Sequence, residues 1–273
     1  LNTIQVYRDG WHKPDAPVWF LTDKDCKAVI HQVMPEMVVH FETEFEGMYK
    51  GDICRLAALY SLGGYYFDTD MRAADFLELG DNVSFASVLI GPRNPPNPNK
   101  TAFFQSFVAA SKGNAIVYRA LEEILFHYRM WAELEGIVQN PEAKGLEGSE
   151  RLHFYSQLLE WPLSRLKASG SSALSMRNLR TAFDKALLSP SGLLGPDTMN
   201  RAYFALVETA SPIENVTLLY ESDLEGSDLF PDVERQVGQG YCNFVVHDDT
   251  RVYFYNKLFY VSRKLTIDRI WIK

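Results

Sequence analysis

Cysteine is scarce in this chain, three among 273 residues, and basic residues are outnumbered, 27 Lys and Arg against 35 Asp and Glu. Cys26, Cys54 and Cys242 lie far apart, with no CxxC pair and no histidine at zinc-finger spacing. That argues against a structural zinc site or a disulfide framework and leaves buried free thiols as the expectation. The formal charge of -8 disfavours unspecific nucleic-acid binding, which depends on clustered Lys and Arg. Long hydrophobic runs are missing too: no stretch reaches the ~18 apolar residues of a membrane span. There is no low-complexity tract and no internal repeat. The chain begins at Leu1 rather than Met, so an upstream segment, a signal or an anchor, is expected to have been cut away.

Apolar residues, by contrast, are plentiful at 47%, enough for a sizeable core. The length suits one α/β unit with a decorated edge better than two independent domains. Residues 1–92 alternate between strand and helix patterns. Strands are expected at Thr3–Tyr7, Pro17–Leu21, Met37–Phe41, Tyr65–Phe67 and Val83–Ile90. Helices are expected over TDKDCKAVIHQV and over MYKGDICRLAALYSLGG, where Ile53, Leu56, Ala57 and Tyr60 recur at amphipathic spacing. Gly63 and Gly64 stop the second helix, one of them as a left-handed cap. Such alternation predicts a largely parallel sheet covered on both faces. The proline-rich loop 91–100 marks a boundary, and residues 102–188 read as mostly helical, beginning with FFQSFVAA. Strands return in VTLLYE, FVVH, RVYFY and LFYVS.

The most informative stretch is GGYYFDTDMR, residues 63–72. An aromatic strand runs directly into two carboxylates, although burial favours the first and penalises the second. Asp68 and Asp70 follow the carboxyl end of a strand, where ligands bind in open α/β sheets. Residues i and i+2 of a strand share a side, so both carboxylates can converge on one object. Hard oxygen ligands of this kind suit Mg²⁺ or Mn²⁺ completed by substrate phosphates. The alternative is a solvated loop after a strand. The chain carries its own control in Asp23-Lys24-Asp25, also DxD, which reads as an exposed helix start where Asp serves as a cap. On the preceding helix, Asp52 and Arg55 are one turn apart and off the apolar stripe. They are either a local ion pair on a solvated face or groups overlooking the same crevice, Arg55 toward a phosphate and Asp52 toward a sugar hydroxyl.

The block GDICRLAALYSLGGYYFDTD resembles the signature of glycosyltransferases with a DxD sugar-binding motif, of the family 32 type. Similar enzymes include Golgi transferases, bacterial and viral transferases of polysaccharide biosynthesis, and the catalytic domain of clostridial glucosylating toxins. Asp52, Arg55, Gly63, Gly64, Tyr66, Asp68 and Asp70 all fall on the shared pattern. The resemblance is tight over residues 50–72 and looser over VWFLTDKD.

It implies a GT-A fold: a mixed sheet with helices on both faces and a helical insertion after the DxD strand. The single domain would have a nucleotide-sugar-binding half at 1–92, the insertion at 102–188, and acceptor-side and C-terminal strands at 189–273. It also implies a metal-dependent, retaining transferase. Asp70 would bind the metal; Asp68 would contact ribose and sugar and help at the metal. Asp52 and Arg55 would hold the donor sugar and its phosphate, with Tyr66 lining the pocket. Relatives complete the metal shell from the C-terminal region, which makes His247 the candidate third ligand, or else an ordinary strand-end histidine. The Ser-Trp that often follows that histidine is replaced by Asp-Asp. The expected cofactor is Mn²⁺ or Mg²⁺, the donor a UDP-sugar with GDP-mannose as alternative, and the acceptor a carbohydrate or glycolipid. An upstream anchor would put the enzyme in the Golgi lumen; without one it would be cytoplasmic.

The rival reading is a Mg-dependent phosphohydrolase of the haloacid dehalogenase type, with Asp68 as nucleophile. It leaves Asp52, Arg55 and the double glycine without a role, and Met71-Arg72 depart from its pattern. A sugar- or nucleotide-binding module without turnover ranks third. The basic residues within 165–183 suit either a solvated helix face or an anionic surface.

Overall fold

The computed structural model describes residues 2–10, 12–68, 71–73, 75–79, 82–90, 101–138, 196–208, 215–223, 244–248, 252–256 and 270–272. The expected helices at RLHFYSQLLEW and SSALSMRNLRTAFDKALL, the expected strand LFYVS and the motif residue Asp70 lie outside them.

Two expected strands are helices. Thr3–Tyr7 belongs to α1 (Asn2–Gly10), and Met37–Phe41 to α3 (Met37–Thr43). A strand would bury Met37, Val39 and Phe41 on one face, but Val39 is 56% exposed while Met37 and Phe41 are buried at i, i+4. That is helical spacing. The other helices of this region lie where expected, as α2 (Asp23–Val33) and α4 (Gly47–Leu62). Thr22 caps α2 in a reciprocal box with Asp25, whose carboxylate accepts from the Thr22 N–H at 2.9 Å. The control DxD is therefore a helix start, and these bonds hold the exposed Asp25 carboxyl below its ordinary pKa.

Gly63 ends α4 with φ 68° and ψ 179°, a positive-φ conformation but not the left-handed helical one. A Cβ there would lie 2.7 Å from the backbone N of Lys112, so the turn admits only glycine. Behind it runs β2 (Gly64–Phe67), then β3 (Met71–Ala73) and β4 (Phe85–Ile90). FFQSFVAA, expected to be helical, is instead strand β5 (Ala102–Ala110), followed by α5 (Ala115–Val138) and α6 (Pro196–Glu208). β1 (Val18–Trp19), β6 (Val216–Asp223), β7 (Phe244–His247), β8 (Val252–Asn256) and β9 (Ile270–Ile272) complete the described elements.

The fold is α/β with a mixed sheet. Among the described residues its order is β1-β9-β2-β5-β4-β6-β7-β8-β3, and β4–β6 is the one parallel pairing. The expectation of a largely parallel sheet is thus corrected. α1 to α4 follow one another with only the two-residue β1 between them, so this half lacks the βαβ crossovers that parallel pairing needs. Helices cover both faces. Tyr66, Val108 and Ala110 pack with α2 through α6, whereas Phe67, Phe107 and Ala109 pack with Ile4 and Tyr7 of α1.

The order places β2 and β3 six strands apart, ~29 Å if the sheet were flat. Only residues 68–70 join them, a reach of at most ~14 Å from Phe67 to Met71. The sheet therefore curls until its β3 end returns to β2, and Asp68 sits at the seam. Met71 N–H donates to Asp68 O at 3.1 Å, so β3 starts beside Asp68. Thr3 of α1 anchors that strand, accepting from Ala73 N–H at 3.2 Å and donating to Met71 O at 3.1 Å.

Cys26 and Cys54 form a disulfide between α2 and α4, with Cα atoms 5.2 Å apart. Both were expected to be buried, correctly, and free, incorrectly. Their separation of 28 residues carries no information on which turns of two packed helices face each other. Closing a loop of that length constrains the unfolded chain by roughly 3–4 kcal/mol in the chain-entropy account. Reduction, or a Cys26→Ala/Cys54→Ala pair, is expected to lower the thermal midpoint by about 10 °C. Alkylation of all three cysteines in unreduced, denatured protein would contradict the bridge.

Candidate functional site

The site assembles where α4, β2 and β5 meet. α4 is enclosed by α2, α5, β2 and β5, and every residue from Gly51 to Leu59 is buried. Asp52 and Arg55 are therefore not on a solvated face: each is 8% exposed. Arg55 Nη2 lies 3.2 Å from Asp52 Oδ1 across one helical turn and 3.7 Å from Asp68 Oδ1. Its guanidinium stands over the Tyr66 ring, 4.5 Å from the centroid, and Nη1 donates to Gln105 O. Burial works against the Arg55 charge, but Tyr66, Asp52 and Asp68 outweigh it and hold the pKa above its ordinary value. The residue is a permanent cation between two carboxylates.

Tyr66 OH donates to Asp68 Oδ1 at 2.6 Å. Both side chains leave β2 on the α4 side, since they are two residues apart. The Asp68 side chain keeps 34% of its surface exposed, so one carboxylate edge is fixed by Tyr66 while the residue still meets solvent. Asp52, Arg55, Tyr66 and Asp68 thus converge, as their spacing implied. Beside Asp52, Tyr128 of α5 donates to Glu44 Oε2 at 2.5 Å and stacks on His40, with centroids 4.8 Å apart. Burial, then Glu44, then Asp52 push the Tyr128 hydroxyl pKa upward.

His247 belongs to another part of the sheet. His247 is fully buried on β7, two strands from β3. The register runs Val246–Phe254–Ala73, so His247 falls past the Ala73 end of β3, away from Asp68. Its ring lies 6.4 Å from that of Tyr220. Among the described residues no three His, Cys, Asp or Glu side chains are grouped to hold a metal ion. The donor set nonetheless suits a hard cation of the Mg²⁺ or Mn²⁺ type, which takes one or two carboxylates and fills its shell with water and phosphate oxygens.

Sequence reasoning missed the β5 contribution. Ser87 pairs with Val108 and Val88 with Phe104, so Gln105, Ser106 and Phe107 fall between consecutive partners on β4. At this bulge the backbone serves the site: Gln105 O receives Arg55, and Ser106 O receives Asp68 N–H at 2.8 Å. The available signal was a Gln-Ser pair inside an otherwise apolar, aromatic run.

Residues 11–86 match the model of a family described as "Glycosyltransferase sugar-binding region containing DXD motif". That span contains Asp52, Arg55, Tyr66 and both aspartates of DTD. The resemblance read from the sequence is borne out over this stretch: residues 11–86 match a DXD-containing sugar-binding region of glycosyltransferases. No curated protein matches the chain. One similar solved structure is titled "PaToxG Glycosyltransferase", with 19% identity and a TM-score of 0.25, over 67% of this chain and 58% of that one. This chain thus spans a little over half of that structure, and at that score nothing is argued from the likeness. The phosphohydrolase reading gains no support.

Proposed function

We propose that the chain is a metal-dependent GT-A glycosyltransferase that moves a sugar, with retention, from a UDP-sugar to a carbohydrate or glycolipid acceptor. The observation that carries this is the convergence of Asp52, Arg55, Tyr66 and Asp68 within a matched sugar-binding region.

Asp68 and Asp70 would hold Mn²⁺ or Mg²⁺, a cation that stabilises charge developing on the leaving diphosphate. His247 is left out of this set because of its place on β7. Tyr66 fixes one Asp68 oxygen and leaves the carboxylate pre-set in direction. Arg55 keeps the Asp52 and Asp68 charges from repelling each other and adds positive potential where the diphosphate accumulates negative charge. Asp52 would accept from donor-sugar hydroxyls. In a front-face transfer, the sugar–phosphate bond breaks as the acceptor oxygen bonds the anomeric carbon on the same side. The acceptor proton passes to a phosphate oxygen of the departing nucleoside diphosphate. A trapped covalent glycosyl-enzyme would count against this route.

No described helix is long and apolar enough to cross a membrane. The Cys26–Cys54 bridge supports an oxidising compartment, as the secretory route would provide.

Calorimetric titration of UDP and GDP, with and without Mn²⁺, tests the reading without a known acceptor. One nucleotide is expected to bind in a metal-dependent way and to lose that binding in Asp70→Asn. Absence of nucleotide binding with metal present would sink the proposal and turn attention to phosphatase assays.

A further inference from the structure

We propose that the Ser106 hydroxyl is a ligand-binding group of this site, donating a hydrogen bond to an oxygen of the nucleoside diphosphate that Asp68 faces. The assignment rests on the donor-binding reading above and adds to it a residue outside the matched region.

Register places Ser106. Tyr66 pairs with Val108 and Phe67 with Phe107, and Asp68 N–H donates to Ser106 O at 2.8 Å. Asp68 and Ser106 are therefore opposite each other across the two strands. Ser106 also continues the face of Val108 and Ala110, which pack with α4. Side chains at facing positions of an antiparallel pair have Cβ atoms ~5 Å apart, so Ser106 and Asp68 are cross-strand neighbours.

Ser106 is 2% exposed, and its Oγ has no hydrogen-bond partner among the described residues. Buried hydroxyls without partners are rare because they forfeit their bonds to water. The contrast with Ser87 is direct. It is equally buried, lies across the same bulge, and donates to Phe107 O at 3.1 Å. Ser87 thus closes the bulge internally, whereas the Ser106 hydroxyl, on the residue opposite Asp68, bonds nothing among the described residues. A partner that arrives with the ligand accounts for that difference.

The test compares wild type with Ser106→Ala in two measurements: titration of UDP and GDP with Mn²⁺, and thermal unfolding without ligand. Affinity for the bound nucleotide is expected to fall roughly 3- to 10-fold, the worth of one hydrogen bond. The ligand-free midpoint is expected to hold or rise, because the change removes a hydroxyl that bonds nothing among the described residues. Equal affinity in a wild type and variant that both bind overturns the Ser106 assignment alone. A ligand-free midpoint lower by about 4 °C or more also overturns it, since the hydroxyl would then serve the fold. A wild type that binds neither nucleotide overturns the donor-binding reading, and the Ser106 assignment with it.

Discussion

Asp68→Asn is expected to slow transfer about 10³-fold while the protein stays folded. The loss follows from the several kcal/mol that a correctly held cation contributes to leaving-group charge, at roughly tenfold per 1.4 kcal/mol. The fold survives because the carboxamide keeps an oxygen for Tyr66 OH, now 2.6 Å from Asp68 Oδ1, and the backbone bond to Ser106 O is untouched. Arg55 also retains Asp52 and Gln105 O. The readout is release of nucleoside diphosphate from the donor, with water as default acceptor, alongside a thermal midpoint that moves by about 3 °C or less. A rate within tenfold of wild type would remove Asp68 from the chemistry. A phosphoryl group trapped on Asp68 would instead restore the phosphohydrolase reading.

The part of the site visible in the sequence is the part that one helix, one turn and one strand determine. Asp52 and Arg55 meet because they are one turn apart, and Tyr66 meets Asp68 because they are two residues apart on a strand. The Gly63 turn, closed to any Cβ by Lys112, folds the two pieces together. The same locality explains why Asp23-Lys24-Asp25 could be dismissed: its role is settled by Thr22, within one turn.

What escaped the sequence depends on partners far along the chain. Ser106 comes opposite Asp68 through strand register, and Cys26 finds Cys54 through helix packing. For His247, the resemblance left a third metal ligand and an ordinary strand-end histidine both open, and its neighbours depend on the β7–β8–β3 ladder. Thr3–Tyr7 and Met37–Phe41 were misassigned because five apolar-rich residues fit either period until exposure is known. Val39 decides the second case by facing water. FFQSFVAA was misread for the opposite reason. A strand buried on both faces shows no alternation, and its polar pair occupies a bulge instead of a solvent face.

Arg55→Ala carries the largest expected cost to the fold, about 3–5 kcal/mol. One guanidinium serves Asp52, Asp68, Gln105 O and the Tyr66 face, and it does so at 8% exposure. Truncation leaves a buried carboxylate without its neighbouring cation and a buried carbonyl without its charged donor, the situation in which removing half of an ion pair is most destabilising. Lysine is not expected to rescue it, because a point charge cannot address a carbonyl and two carboxylates in one plane or stack on Tyr66. Asp52→Ala is expected to cost less, since Arg55 then still has Asp68 and Gln105 O. Combining the two changes should cost less than their sum, because the second removes a charge that the first had stranded. Urea unfolding of the four proteins measures this directly. Additive costs, or an Arg55→Ala midpoint near wild type, would mean that Arg55 does not hold the carboxylates together and is placed for the ligand alone.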